Sequence, residues 1–336
     1  MGIGRTNDNF FQQTDKSQKE RKSYMIGIIV NPFSGDGRGS DIWREVSTRL
    51  LETSIPYLAV ITQKSGEASQ LAESFVREHG VERVIVIGGD GTIHEVAGGL
   101  WRACSISGSA CKLAVIPAGT GNDFAKAYGI PTDANLALDL ALSEGNFAQI
   151  DLLRTPDGMI AVNSIGAGFD GLVAKLTNEA SYKKLLNKLG LGKLAYLITI
   201  VRVFVTYKPS KAWLEVDGIV HELPNMWLAA TANIPFYGGS MQICPSASPY
   251  DGLADVVVIQ SRGRFRLLPI LFTVYQGKHT EHSAVSFFRG KKLSLHTEHP
   301  LMIQADGEFA NSTPLHIEIL PSAITVIGRV GRNHSV

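Results

Sequence analysis

One carboxylate stands inside a run of glycines in the segment GGDGTIHE, residues 88–95. Glycines allow main-chain conformations in which several N–H groups point toward one anion, and such loops bind phosphate. The Asp90 carboxylate would repel a phosphate unless a divalent cation or a substrate hydroxyl stood between them. These residue types predict phosphoryl transfer, with Asp90 serving Mg²⁺ or the acceptor alcohol.

Two more glycine-rich loops have the same character, NPFSGDGRG at residues 31–39 and PAGTGNDFA at residues 117–125. None of the three ends in the Gly-Lys-Ser/Thr of a P-loop, which disfavours a Walker-type ATPase. A tight turn between a strand and a helix would explain any one of them without a ligand. Three such loops together favour a phosphate site over that simpler explanation.

The elements that carry these loops alternate between short β-like runs and helical patterns from Tyr24 onward, which indicates parallel βαβ units. The predicted strands cover 25–30, 57–62, 84–87 and 113–116, and the predicted helices cover 41–51, 66–79 and 93–100. All three loops follow the carboxyl ends of predicted strands, the edge at which parallel sheets bind ligands. We therefore expect the sheet to bring the loops together.

The second half of the chain has a different pattern, because strand-like runs dominate after Gln149. Such runs cover 212–216, 226–230, 254–259, 292–296, 301–304 and 315–320, and another covers 324–327. This pattern predicts a sandwich-like or barrel-like β domain. The length of 336 residues also fits two medium domains or one large one.

The composition limits the class of protein and its partners. Hydrophobic residues at 44% and charged residues at 19% indicate a soluble globular chain. The formal net charge of +1 provides no overall field for nucleic acid, so we expect no nucleic-acid partner. Cys104, Cys111 and Cys244 are too few for a disulfide framework or a four-cysteine zinc site, and we expect buried thiols in a reducing compartment.

The amino-terminal residues 1–23 are polar and charged, so we predict a flexible leader rather than a secretory signal. No apolar stretch reaches the roughly 20 residues that a spanning helix requires. Two segments combine basic and apolar residues, 181–208 and 261–272. Each could lie at an anionic membrane surface, or could be a solvated basic face whose other side packs in the core.

The motifs NPFSG, GGDGT and GTGNDFA, followed by DGE in IQADGEFA, together resemble the diacylglycerol kinase catalytic-domain family, and especially its small soluble bacterial lipid kinases. The resemblance extends from Tyr24 to about Arg329 and includes GKHT and DGLADVVVI. NAD kinases and phosphofructokinases share the single glycine motifs, but the combination is specific. A further match, GAGFDG at residues 166–171, fits a dinucleotide fingerprint weakly and is predicted to be structural.

The resemblance implies the fold class α/β: a parallel-sheet nucleotide-binding domain over 24–150, then a β-rich sandwich domain over 151–319, with the active site in the cleft between them. A strand near 320–330 would return to complete the first domain. The resemblance also implies a set of nucleotide contacts. These are Asn31, Pro32, Phe33, Ser34, Gly35, Thr62, Gly88, Gly89, Asp90, Gly91, Thr92, Ile93, His94 and Thr120.

His94 departs from the family, which usually has asparagine at this position of GGDGTxNE. Imidazole can donate a hydrogen bond but cannot offer a donor and an acceptor from one planar amide. Glu308 matches the catalytic glutamate that the family uses as proton acceptor, and Asp306 would support it. An ordinary Asp-Gly hairpin turn would explain the same residues.

Asp123 and Asp251 each have a functional interpretation and a structural one. Asp123 is either the N-cap of a helix that begins at Phe124 or a catalytic residue that serves the metal and the substrate. A second, structural Mg²⁺ is implied at Ser248, Asp251 and the main-chain oxygen of Leu253, all hard oxygen ligands. A tight turn before the strand at 254 would explain that cluster without a metal.

The function that the resemblance implies is an ATP- and Mg²⁺-dependent lipid kinase, with diacylglycerol as the first substrate and phosphatidic acid as product. A sphingoid base, ceramide or phosphatidylglycerol come next. The alternatives are a NAD kinase-like phosphotransferase on a soluble alcohol and a non-catalytic nucleotide-binding regulatory protein, which the His94 departure motivates. The expected partners are ATP and lipid at a membrane surface, in a cytoplasmic protein peripheral to the inner membrane face, and a homodimer stays open.

Overall fold

The computed structural model describes residues 11–12, 25–53, 55–108, 110–179 and 192–329. Most of the predicted leader and residues 181–191 of the basic segment lie outside the described residues. The chain divides into two compact units. The first consists of Met1–Thr120, Tyr128–Ala148 and Ile324–Val336, and the second of Gly121–Ala127 and Gln149–Ala323.

Helices and strands alternate in the first half of the chain, and strands predominate in the second half. The helices are α1 (Arg38–Leu51), α2 (Glu67–Arg77), α3 (Asp90–Ser107), α4 (Asp123–Ala127), α5 (Ala134–Leu142), α6 (Phe169–Glu179), α7 (Gly192–Thr206) and α8 (Leu268–Thr273), with 3₁₀ turns at Arg264–Leu267, Val274–Gln276 and Lys278–Glu281. The strands are β1 (Phe11–Gln12), β2 (Ile26–Val30), β3 (Tyr57–Ile61), β4 (Arg83–Gly88), β5 (Lys112–Pro117), β6 (Phe147–Arg154), β7 (Ile160–Ala161), β8 (Ser164–Gly168), β9 (Ser210–Val216), β10 (Ile219–Ala232), β11 (Ala254–Gln260), β12 (Val285–Gly290), β13 (Lys292–Thr297), β14 (Met302–Ala305), β15 (Glu308–Ser312) and β16 (Leu315–Ile327).

The first unit contains the predicted parallel α/β sheet. Strands β3, β2, β4 and β5 lie side by side in that order, all parallel, and β1 pairs antiparallel with the β3 edge. Every residue of β2 and β4 is buried, as expected for strands covered on both faces. At the other edge, Thr325 and Val326 of β16 pair in parallel with β5.

The helices of this unit pack by one apolar face. In α1 the buried side chains include Ile42, Val46 and Leu50, spaced four residues apart, so they line one side of the helix. Helix α3 carries Gly98 and Gly99 in its middle, and both are buried. A Cβ on Gly99 would overlap the main-chain oxygen of Ser69 in α2, and this close helix packing explains the glycine.

The second unit is β-rich, as predicted. Its antiparallel sheet has the order β13, β9, β10, β8, β14 and β15, with β11 joining β10 to β12 and the first residues of β16 pairing with β13. Strand β9 alternates buried and half-buried residues along its length, the period of a strand with one covered face. One core cluster contains Leu214 and Leu295, and a second contains Val203 of α7 and Trp227 of β10.

The element predictions differ from the structure in two informative places. Helix α3 begins at Asp90 rather than at residue 93, because β4 continues to Gly88 and Gly89 alone separates the strand from the helix. Strand β8 was not predicted, since its sequence SIGAG has few of the branched residues typical of strands. The glycines in and after β8 serve packing: a Cβ on Gly166 would overlap the Asp170 carboxylate, and one on Gly171 would overlap the Met302 main-chain oxygen.

No helix among the described residues is both long enough and apolar enough to cross a bilayer.

Candidate active site

The three glycine-rich loops of the first unit are held close to one another, as the sequence predicted. The Asn31 side-chain amide donates to the Thr92 hydroxyl at 2.9 Å. The Gly89 N–H donates to the Ser34 hydroxyl at 3.2 Å. These bonds join the loop after β2 to the loop after β4, so their main chains form one continuous surface at the carboxyl edge of the sheet.

The third loop, which follows β5, joins the other two through close main-chain packing. Gly35 has a φ of +60°, and a Cβ there would overlap the Ala118 main-chain oxygen. A Cβ on Gly89 would lie 3.1 Å from the Gly119 Cα atom. No larger side chain fits at Gly35, and one at Gly89 would require the neighbouring loop to shift. The glycines therefore keep the three loops close enough to act on a single ligand.

Helix α3 directs its amino terminus at this loop surface. Its first residue is Asp90, and Gly89 before it provides no side-chain cap. The N–H groups of a helix's first turn have no partner within the helix and carry the positive end of its dipole, so they favour an anion. Asp90 is the first residue at this end of the helix.

The remaining predicted nucleotide contacts lie around this edge with different exposure. Phe33 is 73% exposed, Thr120 is exposed, and His94 is half-buried. Ile93 is buried, and its N–H donates to the Gly89 oxygen at 3.0 Å within the helix. Thr62 is also buried, and its hydroxyl donates to the Val30 oxygen at 3.2 Å, while a nucleotide contact there stays a prediction.

Glu95 has a role that sequence reasoning missed. Its carboxylate accepts the Gly66 N–H at 2.8 Å, the Ala68 N–H at 3.1 Å and the Ser65 hydroxyl at 3.3 Å. Gly66 precedes α2 and has no side chain with which to cap that helix. Glu95 therefore provides the missing cap from α3 and fixes the loop after β3.

Asp123 belongs to the second unit and is the first residue of α4. Its carboxylate oxygens accept the Gly239 N–H at 2.9 Å and the Ser240 N–H at 2.5 Å. Asp123 is only 5% exposed, so a buried carboxylate holds the more exposed turn at 239–240 from beneath. The structure thus gives the side chain a positioning role that neither predicted reading included.

The DGE motif forms a real hairpin turn between β14 and β15. Asp306 and Gly307 have φ values of +49° and +90°, as tight two-residue hairpins require. The Asp306 carboxylate accepts three main-chain N–H groups, from Val162, Asn163 and Ser164, at 2.8–2.9 Å. Glu308, the first residue of β15, is exposed. The Asp-Gly hairpin turn is therefore present, and Glu308 is accessible beside it.

A second hydrogen-bond chain supports the same turn from beneath. The Gln304 side chain donates to the Asp170 carboxylate at 3.1 Å and accepts the Gly307 N–H at 2.7 Å. Both Asp170 and Gln304 are buried. Burial raises the pKa of Asp170 from its ordinary value of 3.8 to about 6, although the Gln304 and Gly171 hydrogen bonds oppose that rise. Sequence reasoning did not identify this pair.

The predicted second Mg²⁺ site is arranged around an arginine. Asp251 forms an ion pair with Arg289 and accepts the Leu253 N–H at 3.0 Å. Arg289 also lies 3.5 Å from Asp255, whose pKa burial raises and the guanidinium lowers. Asp251 is the only carboxylate of the predicted set, and it is already neutralised. The single carboxylate of the predicted set is thus paired with Arg289, and a metal ion at Ser248, Asp251 and Leu253 stays a prediction.

We expect the substitution Arg289→Gln to release Asp251 and raise the affinity of the nucleotide-free protein for Mg²⁺ by about 10-fold or more. Isothermal titration without nucleotide measures this site apart from any nucleotide-bound cation. Lys291→Gln, which removes a nearby positive charge without touching Asp251, is the matched control. Tight binding by the unaltered protein, lost on Asp251→Asn, would show that the metal displaces the arginine.

The cysteines and histidines form no metal cluster among the described residues. Cys111 and Cys244 are buried, and burial raises the pKa of Cys111 to about 12, which keeps its thiol protonated. His279 is fully buried, with its Nε2 3.1 Å from the Ile243 oxygen, and is a histidine of the core.

The fold and the linked phosphate-type loops define a nucleotide-binding phosphotransferase. A diacylglycerol kinase catalytic domain profile matches residues 25–155, and a profile described as the YegS C-terminal NAD kinase beta sandwich-like domain matches residues 163–328. The chain belongs to the diacylglycerol kinase catalytic-domain family. This relationship supports a lipid kinase.

Individual relatives cover nearly the whole chain. A diacylglycerol kinase of Mycobacterium tuberculosis (strain ATCC 25618 / H37Rv) is 30% identical over 311 residues, 90% of this chain and 94% of its own length. The Bacillus subtilis (strain 168) protein YtlR is 29% identical over 311 residues, 89% of this chain and 98% of its own. The crystal structure of a diacylglycerol kinase from Bacillus anthracis str. Sterne has a TM-score of 0.69 at 23% identity, over 92% of this chain and 98% of its own. That last similarity shows the fold.

Proposed function

We propose that the protein is an ATP- and Mg²⁺-dependent lipid kinase that transfers the γ-phosphoryl group to diacylglycerol and yields phosphatidic acid. The observation that carries the proposal is the set of three loops gathered at the amino terminus of α3, in a chain related over 90% of its length to a diacylglycerol kinase. We further propose that it works in the cytoplasm at the inner membrane face.

The loops hold the nucleotide through their main-chain N–H groups and the dipole of α3. Asn31 to Gly35, Gly88 to His94 and Thr120 are the proposed contacts. Asp90 would hold Mg²⁺. A single carboxylate fits this ion, because protein-bound Mg²⁺ commonly uses one or two carboxylates plus substrate phosphates. When bound, Mg²⁺ would neutralise negative charge on the nucleotide phosphates.

Glu308 is the proposed proton acceptor for the lipid hydroxyl. Its exposed position next to a turn held by Asp306 and Gln304 supports this role, because a general base must be both accessible and held in place. Asp123 is proposed to serve the metal and the substrate while it anchors the turn at 239–240.

The test is transfer of labelled phosphate from ATP to a panel of alcohols: diacylglycerol, a sphingoid base, ceramide, phosphatidylglycerol and NAD. We expect diacylglycerol to be labelled most rapidly and NAD to remain unlabelled. Labelling of NAD alone would favour the NAD kinase-like alternative. No labelled lipid under conditions in which nucleotide binds would reject the lipid kinase.

The regulatory alternative predicts nucleotide binding without turnover. We expect Asp90→Asn and Glu308→Gln to retain nucleotide binding and to lose most of the transfer that the unaltered protein shows, a loss that a protein without turnover could not show. His94→Asn, which restores the residue usual in the family, tests whether the imidazole alters nucleotide affinity.

A further inference from the structure

The segment from Arg262 to Tyr275 has an outward face that no described part of the chain covers. Its residues, termed the 262–275 face, are Arg262, Phe265, Arg266, Leu268, Leu271, Phe272 and Tyr275. Phe265 and Phe272 are 75% and 77% exposed, and the apolar Leu268, Leu271 and Tyr275 are exposed as well. Contiguous apolar surface of this kind marks an interaction site in a soluble protein.

The inward face of the same segment fixes it firmly. Leu267, Ile270 and Val274 are buried at a helical spacing of three and four residues, within the core cluster that contains Trp227. The Arg264 guanidinium donates to the Phe204 oxygen at 3.2 Å, and the Trp227 indole donates to the Ser261 oxygen at 2.9 Å. The exposed phenylalanines are therefore displayed by an ordered support.

The charge within the segment has one sign. No aspartate or glutamate occurs in the sequence from residue 256 to residue 280, whereas Arg262, Arg264, Arg266 and Lys278 do. Arg262, Arg266 and Lys278 are all exposed, and no carboxylate of the described chain forms an ion pair with Arg262 or Arg266. An apolar patch with a cationic border complements an anionic bilayer, which has negatively charged headgroups at its surface and hydrocarbon beneath them.

A second copy of the chain fits the face less well. A twofold contact would place the same face of each copy together and so oppose arginine with arginine, a repulsion without compensating acids. We propose that the 262–275 face docks the protein on an anionic membrane surface, with Phe265 and Phe272 inserted at the headgroup boundary. This inference rests on the proposed function, because a kinase that phosphorylates membrane lipids must reach the bilayer.

Sedimentation with phosphatidylcholine vesicles, with and without phosphatidylglycerol, tests the docking face directly. We expect binding to the anionic vesicles and a loss of about 10-fold in partition coefficient for each of Phe265→Ser and Phe272→Ser. Arg262→Gln and Arg266→Gln should each lower the partition coefficient by about 5-fold. High salt should remove this electrostatic contribution of the arginines and leave the contribution of the phenylalanines. The matched control is the double variant Ile106→Ser, Leu136→Ser, two helical side chains that are 72% and 56% exposed in the first unit.

Two results would overturn the proposal. In one, the phenylalanine variants bind anionic vesicles as well as the unaltered protein does. In the other, they bind vesicles equally but change the oligomeric state in sedimentation velocity, which would assign the face to a second copy. Equal melting temperatures of all variants, expected for exposed positions, exclude unfolding as a cause.

A separate arm distinguishes this inference from the proposed function. Activity on a dispersed short-chain diacylglycerol should be unchanged in Phe265→Ser, while activity on vesicle-bound diacylglycerol should fall with binding. Vesicle binding that depends on the phenylalanines, with no lipid labelled in any form, would retain the docking face and reject the kinase proposal. Labelled lipid together with vesicle binding that does not depend on the phenylalanines would retain the kinase proposal and reject the docking face.

Discussion

Replacing Glu308 with glutamine is expected to lower kcat for lipid phosphorylation by about 10²–10⁴-fold, the usual contribution of a positioned general base. Glutamine keeps the shape of the side chain but cannot accept the hydroxyl proton. The position is exposed at the start of β15, so the melting temperature should not change. Steady-state kinetics, a nucleotide titration and a thermal melt on the same preparation measure all three quantities.

Asp306→Asn supplies the contrasting variant two residues away. The carboxylate accepts three main-chain N–H groups, and an amide has only one oxygen with which to accept them. We expect the free energy of unfolding to fall by about 1–3 kcal/mol, with a loss of activity that follows the loosened turn. A Glu308→Gln variant that unfolds like Asp306→Asn, or that keeps its kcat, would remove Glu308 from the proposed chemistry.

The parts of the fold that the sequence predicted are those with a short period or a local motif. Buried strands such as β2 and β4 consist almost wholly of apolar residues, and α1 repeats Ile42, Val46 and Leu50 along one face. The glycine loops were predictable because positive φ and close main-chain approach both require glycine, as Gly35 shows. Each of these signals is contained within a dozen residues.

The parts that escaped prediction depend on contacts between distant positions. Asp170 and Gln304 are 134 residues apart in the chain, and the Asp306 carboxylate accepts from the Ser164 N–H across 142 residues. Nothing local distinguishes Gln304 from any other strand glutamine. The Arg289 partner of Asp251, 38 residues away in the chain, is hidden for the same reason.

The buried charge at Asp170 has a cost and a structural consequence. Because the pKa of Asp170 is raised to about 6 in the fold, protonation favours the folded state. That contribution is fully present below about pH 4 and is lost as the pH rises toward 6. Above that range the ionised carboxylate accepts from the Gln304 amide, which leaves the Gln304 oxygen facing the Gly307 N–H. The ionised Asp170 carboxylate thus destabilises the fold but orients the Gln304 side-chain amide beneath the turn that precedes Glu308.

We expect Asp170→Asn to gain stability relative to the unaltered protein as the pH rises from about 4 to 7, by about 2–3 kcal/mol in the free energy of unfolding. Denaturant unfolding at a series of pH values measures the difference between the two proteins and cancels titrations that they share. We also expect kcat to fall by about 10-fold, because the asparagine amide can turn the Gln304 side chain away from Gly307 and displace Glu308.

Two further variants make the pH result specific to this pair. Asp41→Asn, at a carboxylate whose side chain is 72% exposed, should show no such pH-dependent gain. Gln304→Leu removes the hydrogen bond that favours ionised Asp170, so the loss of stability should move to higher pH and kcat should fall as it does in Asp170→Asn. A stability difference that stays constant between pH 4 and 7, or a Gln304→Leu variant with full kcat, would separate the buried carboxylate from the Glu308 turn.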